Sequence, residues 1–418
     1  GQRDNFFEVP TDCPQRDERL GWTGDAEVFC ATAAFNMNVA AFFRKWLRDQ
    51  REAQFANGSG THIAPNIFRK GMQGSPAWAD ALVICPWTMY LRYGDRSFLT
   101  ENYESMKQWI EFQKNTADHL IRPDIGFGDW LSLDEVNTPK PLIGTAYFAY
   151  TAHLVAETAK VLEKDADAVY FEDISRLVAE AFRDEFIGKD GLLKIRNQTS
   201  CILALHFNLL TAGQREKQIQ LLNQLIRENG NRLTTGFVGT ASLMLALTSS
   251  GLTETAYDLL LQEEYPSWLF SVNQGATTIW ERWNSYTIKN GFGNVGMNSF
   301  NHYAYGAVAE WMAATAGGIS YALPGGKELL FAAIPDPRMG YVKASLETPY
   351  GKAASFWKYE GNSLRWEITA PPNTSIKVVL PVSDPAKVSI NGEPLSGYKK
   401  EKDTLVLSLP CGTYHFEF

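Results

Sequence analysis

Two stretches far apart in the chain combine carboxylates with indoles. The first, TDCPQRDERLGWTGDAE at 11–27, holds Asp12, Asp17, Glu18, Asp25 and Glu27 beside Arg16 and Arg19, interleaved with Cys13, Leu20, Gly21, Trp22 and Gly24. A merely solvated acidic run would not mix its charges with apolar groups. Ion pairing with the arginines, and an N-cap role for Asp25, account for part of the pattern. They leave Trp22 and the two glycines unexplained; glycine permits tight or close-approach backbone geometry. A carboxyl desolvated beside an indole holds its proton nearer neutral pH, which suits it to act as a general acid while its neighbours stay ionised and bind hydroxyls. The second stretch, NQGATTIWERWNSY at 273–286, sets Glu281 between Trp280 and Trp283 with Arg282 alongside. A satisfied ion pair at the edge of an aromatic core is the plain alternative there. Two carboxylates brought to opposite sides of one bond are the minimum equipment for glycoside hydrolysis.

Other segments fit a sugar pocket without requiring one. GSPAWADALVICPW at 74–87 places Trp78 and Asp80 after a Gly/Pro turn, and GFGDWLS at 126–132 sets Asp129 and Trp130 on a glycine-rich loop. NSFNHYAYGAVAEWM at 298–312 puts His302 at the mouth of a helix, where a lone histidine is more often structural. GFVGTASL at 236–243 has the look of a turn packed closely against a helix start.

Composition narrows the partners. The 12 Trp, 17 Tyr and 24 Phe either fill a large core or provide stacking platforms for the apolar C–H face of a pyranose. A net charge of −8 argues against nucleic acid or anionic membrane as partner, since both require a basic face. No run approaches the roughly eighteen apolar residues of a membrane span. The five cysteines are scattered and odd in number, and the six histidines form no HExxH or HxH pair. A disulfide framework and a metal site are therefore both disfavoured, and no cofactor is expected.

The elements that must position these groups fall into two textures. From about 25 to 316 the apolar periodicity is helical. The run from 25 to 54 carries Val28, Ala31, Phe35, Val39, Phe42 and Trp46 at three- and four-residue steps, read as one apolar helix face. Segments 78–93, 96–120, 142–163, 167–187, 199–211, 213–229, 237–250, 252–263 and 298–316 read likewise, giving about ten helices joined by short Gly- or Pro-marked turns. Short links imply antiparallel neighbours and no repeat of fixed period is present, so a closed α/α toroid is the sharper reading and a large α-helical domain the plainer one. After about 320 the pattern changes to period two. SLRWEITA, DTLVLSLP and TYHFEF alternate, and Asn391-Gly392 sits where a hairpin turn belongs. This predicts a small antiparallel β-sandwich.

With these residues in view, the chain resembles the α-L-rhamnosidases of glycoside hydrolase family 78. DCPQRDERLGWTGDA at 12–26 is similar to that family's signature almost residue for residue, and GDW at 128–130, GFVGT at 236–240, TTIWERW at 277–283 and SFNHYAYGAVAEW at 299–311 follow in the family's order. The resemblance implies an (α/α)6 barrel over 1–319, with or without its first helix, and a C-terminal β-sandwich domain over 320–418. It implies an inverting hydrolase that releases terminal α-L-rhamnose from plant glycosides or polysaccharides, with Glu18 as general acid and Glu281 as general base. Asp12, Arg16 and Asp25 are then expected to hold hydroxyls, and Trp22, Trp78, Trp130 and His302 to line the sugar and its C6 methyl; Asp129, from its pairing with Trp130 on the glycine-rich loop, is expected to bind substrate as well. The family needs no metal for this chemistry. Its signature is normally preceded by a further helix and β domains, so the chain is expected to be an N-terminally truncated piece whose parent supplies the missing domains. A catalytically incompetent sugar-binding fragment, or an α/α-barrel glycosidase of different glycone specificity, is the alternative.

Overall fold

The computed structural model describes residues 1–68 and 73–418. Packing divides them into two compact units, one of Gly1–Cys30, Ala41–Trp87 and Arg96–Ala307, the other of Ala31–Ala40, Thr88–Asp95 and Val308–Phe418.

The helices run in order α1 (Gln2–Asn5), α2 (Thr23–Asn36), α3 (Ala40–Ala53), α4 (Ala81–Tyr93), α5 (Ser97–Thr116), α6 (Lys140–Val161), α7 (Asp165–Phe186), α8 (Gln198–His206), α9 (Ala212–Glu228), α10 (Phe237–Ser249), α11 (Thr253–Leu260) and α12 (Trp268–Asn273), followed by a two-stranded ribbon of β1 (Tyr286–Thr287) and β2 (Gly291–Phe292). Two kinds of helix alternate. α6, α8 and α10 are buried on nearly every side. α7 buries only a stripe (Phe171, Ile174, Val178, Phe182) and α9 only Gln218, Leu222 and Ile226. A helix apolar all round must be enclosed, whereas a striped one covers a neighbour and faces water. Accordingly α6 packs on α8 and α8 on α10, while α7, α9 and α11 back them in turn. This inner and outer layering is the double-ring arrangement of the expected α/α barrel.

Several helix starts are written locally. Asn197 accepts from the Ser200 amide at 2.9 Å, Ser267 from Phe270 at 3.0 Å, and Thr211 with Gln214 forms a capping box at α9. The run from 25 to 54 is two helices instead of one. It breaks at 37–39, where Asn38 takes the Ala40 amide. In the first of them Phe29, Cys30 and Ala33 are buried, while Val28, Ala31 and Phe35 are only half-buried. The segment 298–316 also departs from expectation. Residues 298–303 are irregular because Ser299 and His302 pair by backbone with Glu281 and Ile279 (both 2.9 Å), and regular winding begins only at Ala304.

In the second unit α13 (Val308–Trp311) leads into a nine-stranded sheet of β3 (Ile319–Tyr321), β4 (Glu328–Phe331), β5 (Tyr341–Thr348), β6 (Gly351–Glu360), β7 (Ser363–Leu380), β8 (Ser389–Ile390), β9 (Glu393–Pro394), β10 (Tyr398–Glu401) and β11 (Thr404–Glu417). β7 changes partners along its length: its first half pairs with β6, its second with β4, and β11 follows both. Leu364, Trp366 and Ile368 from one half and Ile376, Val378 and Leu380 from the other enter a single core, so the sheet folds over on itself. The sheet is antiparallel as expected, except that β4 and β7 run parallel. Asn391 and Gly392 both have positive φ (51° and 82°) and close the β8–β9 hairpin, as two-residue type I′ turns require.

Candidate active site

The acidic loop is clasped at its ends. Asp12 N–H donates to the Leu20 carbonyl and Leu20 N–H returns to Asp12 Oδ1, both at 3.0 Å, so residues 13–19 form a closed excursion. Beyond the clasp, Trp22 bridges Ile63 by backbone. The two glycines are contact glycines. A Cβ on Gly21 would lie 2.4 Å from the Ala64 carbonyl, and one on Gly24 would lie 2.7 Å from the Trp78 indole. The chain is thereby held where Glu18, Trp22 and Asp25 can face one cavity.

That cavity, of about 280 Å³, is lined by Asp12, Arg16, Glu18, Trp22, Asp25, Trp78, Phe127, Trp130, Phe237, Glu281, Gly296, Met297 and His302. Arg16 stands between the two glutamates. Its Nε and Nη2 donate to Glu18 Oε2 at 3.0 and 2.5 Å, and its Nη1 to Glu281 Oε2 at 3.2 Å. The other Glu18 oxygen accepts from Trp22 Nε1 at 2.7 Å. The side chain of Glu18 is 27% exposed and that of Glu281 only 4%, so one carboxylate sits at the rim and the other deep. Burial raises the Glu281 pKa, opposed by the Arg16 charge and by a hydrogen bond from Trp130.

Nine of the ten residues expected at a site line this cavity. Asp129 does not. Its carboxylate is consumed as an N-cap for α10, accepting from the amides of Gly236 (2.8 Å), Val238 (2.9 Å) and Gly239 (3.1 Å) and from Thr199 Oγ1 (2.5 Å). The helix start has no capping side chain of its own, and Gly236 is tight because a Cβ there would meet the Trp130 carbonyl at 2.2 Å. The indoles flanking Glu281 in sequence also face away. Trp283 stacks on Tyr305 at 4.1 Å and Trp280 packs edge-on to Phe300. The indole that touches Glu281 is Trp130.

Phe127 escaped the sequence reading, although it lies within the quoted GFGDW run. Its ring is 5.6 Å from Trp22, 4.8 Å from Trp78 and 6.2 Å from Trp130, so it is the hub that spaces the three indoles. Phe237, delivered by the Asp129-capped helix, lies 5.1 Å from His302. Gly296 and Met297 come from the loop after the β1–β2 ribbon, where neither a carboxylate nor an indole marks the sequence.

Opposite the indoles is a buried polar set. His302 Nε2 is 3.1 Å from Asp25 Oδ1. Burial, then the nearby Asp12 and Glu281, drive the Asp25 pKa well up; burial pushes that of His302 down to about 3. Both shifts favour the uncharged form of each partner. Burial also raises Asp12 to about 6 against a hydrogen bond from the Cys13 thiol. Among the described residues Asp12, Cys13 and His302 bring ligand atoms within 4.8 Å of one another. Burial and Asp12 hold Cys13 firmly as a thiol, so these groups are a hydrogen-bond network whose thiol would have to be ionised before it could bind a metal.

Comparison with known proteins agrees along the whole chain. Residues 1–316 match the family described as bacterial α-L-rhamnosidase 6 hairpin glycosidase domain, and residues 318–408 match the bacterial α-L-rhamnosidase C-terminal domain. An α-L-rhamnosidase of Formosa agariphila is 42% identical across all of this chain and 46% of its own length; one of Streptomyces avermitilis is 40% identical over 93% of this chain and 37% of its own. The crystal structure of the Streptomyces avermitilis α-L-rhamnosidase complexed with L-rhamnose superposes with a TM-score of 0.95 at 38% identity, covering 100% of this chain and 40% of that one. The α-L-rhamnosidase structure from Aspergillus terreus does so with a TM-score of 0.91 at 33% identity, over 100% and 47%. The chain spans less than half the length of each of these relatives.

Proposed function

Because the chain belongs to the bacterial α-L-rhamnosidase family, we propose that it is the catalytic part (1–319) and C-terminal β domain (320–418) of an inverting glycoside hydrolase that removes terminal α-L-rhamnose from plant glycosides or polysaccharides. The observation that carries the mechanism is the Arg16 bridge. Glu18 Oε2 sits on the Nε–Nη2 edge of the guanidinium and Glu281 Oε2 beyond Nη1, on the opposite side. The fixed geometry of that planar fork sets the two oxygens on the order of 7 Å apart. Inverting glycosidases hold their carboxyls about 6.5–9.5 Å apart to admit a water, and retaining ones about 5–5.5 Å apart.

Glu18, at the rim, gives its proton to the glycosidic oxygen as the bond from C1 to that oxygen breaks. Glu281, deep in the pocket, takes a proton from a water whose oxygen bonds to C1 from the other face, so the sugar departs as β-L-rhamnose. Carboxylate formation on Glu18 is eased by the donors already aimed at it, Arg16 and Trp22. The buried Asp25–His302 pair and Asp12 meet the hydroxyls, and Trp22, Trp78, Trp130 and Phe127 take the apolar face and C6 methyl.

Proton NMR of the chain with an aryl α-L-rhamnopyranoside tests this. Initial appearance of β-rhamnose, abolished in Glu18→Gln and in Glu281→Gln with the fold intact, is the expected result. Initial α-rhamnose, or full activity in either variant, refutes the assignment. Rhamnose binding without release, with turnover restored in a longer chain, would make the 418 residues a binding fragment of the enzyme instead.

A further inference from the structure

Ser299 touches both carboxylate-bearing stretches. It is fully buried and lies on the irregular run that leads to His302. Its carbonyl accepts from the Glu281 amide at 2.9 Å, and its hydroxyl accepts from Gln15 Nε2 at 2.8 Å. The same hydroxyl donates to Cys13 Sγ. The backbone of Ser299 thus serves the base, and its side chain serves the loop that carries the acid.

That loop depends on such anchors. The clasp of Asp12 with Leu20 closes its root, where Asn5 Nδ2 also joins the Asp12 and Asn301 carbonyls, both at 3.1 Å. Beyond the clasp, among the described residues, no bond between backbone groups ties 13–19 to the rest of the fold. Side chains hold the excursion instead: Arg16 on Glu281, Trp22 on Glu18, and Gln15 and Cys13 on Ser299. Arg16 and Trp22 line the cavity, where a bound sugar competes for their donors. Gln15 and Ser299 do not line it, so their bond stays made when substrate is present.

We propose that Ser299 is a positioning residue: its hydroxyl fixes the acid's loop against the stretch that bears the base, and it acts on the reaction through Glu18. The proposal rests on the glycosidase reading above. A general acid must lie within hydrogen-bond reach of the oxygen it protonates, and a misplacement on the order of 1 Å is enough to cost rate.

The two halves of Ser299 can be separated. Ser299→Ala removes the hydroxyl and keeps the carbonyl that holds Glu281. Gln15→Ala removes the other end of the same bond from an exposed position, outside the core. Both variants and their double are assayed on methyl α-L-rhamnoside and on α-L-rhamnosyl fluoride. The methyl glycoside requires the proton of Glu18; fluoride leaves as an anion and requires only Glu281 and its water. Each single variant is expected to lose about fivefold in kcat/KM on the methyl glycoside, equivalent to roughly 1 kcal/mol and typical of one hydrogen bond. The fluoride rate is expected to be unchanged, which also shows that the variants are folded. The double variant should lose no more than Ser299→Ala, because the same bond is broken in both. An equal loss on the two substrates makes Ser299 a part of the frame only and overturns the proposal. So does multiplication of the two losses in the double variant, or an undiminished methyl glycoside rate in Gln15→Ala. If Ser299→Ala does not fold, Gln15→Ala decides alone. Failure of the unmodified chain to hydrolyse the fluoride overturns the glycosidase reading beneath it, and this role of Ser299 with it.

Discussion

The hydrogen bond from Trp22 Nε1 to Glu18 Oε1, 2.7 Å long, offers a direct probe of the acid's role. Trp22→Phe deletes that donor and keeps a ring where Trp22 now stacks on His62 (6.5 Å, 23°) and meets Phe127 edge-on. The bond matters most once the proton has left Glu18 and the oxygen carries charge, because a hydrogen bond to a charged acceptor contributes about 1.5–3 kcal/mol. At about 1.4 kcal/mol per decade that is roughly a 10- to 150-fold loss of rate. Arg16 still donates to the other Glu18 oxygen through two nitrogens, which places the expectation near the lower end. The assay is kcat/KM over a series of α-L-rhamnosides whose leaving groups run from alkyl alcohols to nitrophenols and fluoride. Poor leaving groups need the proton and should show the full loss; good ones leave as anions and should show little. A loss of the same size along the whole series would mean that Trp22 only packs against the sugar. No loss on the alkyl glycosides would mean that Glu18 is not the acid.

Two further outcomes concern the frame around the site. Asp129→Asn replaces an acceptor oxygen with an NH2 group facing backbone amides at the start of α10, and should lower the unfolding free energy by about 2–4 kcal/mol in denaturant titration; an unchanged midpoint would show that the cap is dispensable. Asp80 is fully buried, and burial raises its pKa from 3.8 to about 6 against hydrogen bonds from Trp109 and the Ala77 amide. The folded state therefore binds this proton more tightly than the unfolded one, so the contribution is present below pH 4 and is lost as the pH rises towards 6. The shift corresponds to about 3 kcal/mol. The stability of the chain relative to Asp80→Asn should fall by that order between pH 4 and 7, and a pH-independent difference would contradict it.

Some of this protein is legible from short stretches of chain. The helical and strand halves follow from 3.6- and 2-residue periodicity, and the Asn391-Gly392 turn and the caps at Asn197, Thr211 and Ser267 use chemistry complete within a few residues. The 12–26 stretch marks the site because clasp, bridge and contact glycines are packed into one continuous run. What the chain cannot state locally is which way a side chain faces when the deciding neighbour lies far away. Asp129 and Trp130 read as an equivalent acid-plus-indole pair; yet the amides at 236–239 capture Asp129, and Glu281 engages Trp130. Trp280 and Trp283 flank the deep carboxylate in sequence and turn to the core in space. The break at 37–39, the irregular course of 298–303 and the parallel pairing of β4 with β7 have the same origin. Local propensities differ by tenths of a kcal/mol per residue, whereas a buried backbone group left without a partner costs about 1–3 kcal/mol. Residue types thus determined which groups could do chemistry, and the pairing of buried polar groups across the fold, Arg16 with Glu281 above all, decided which of them meet.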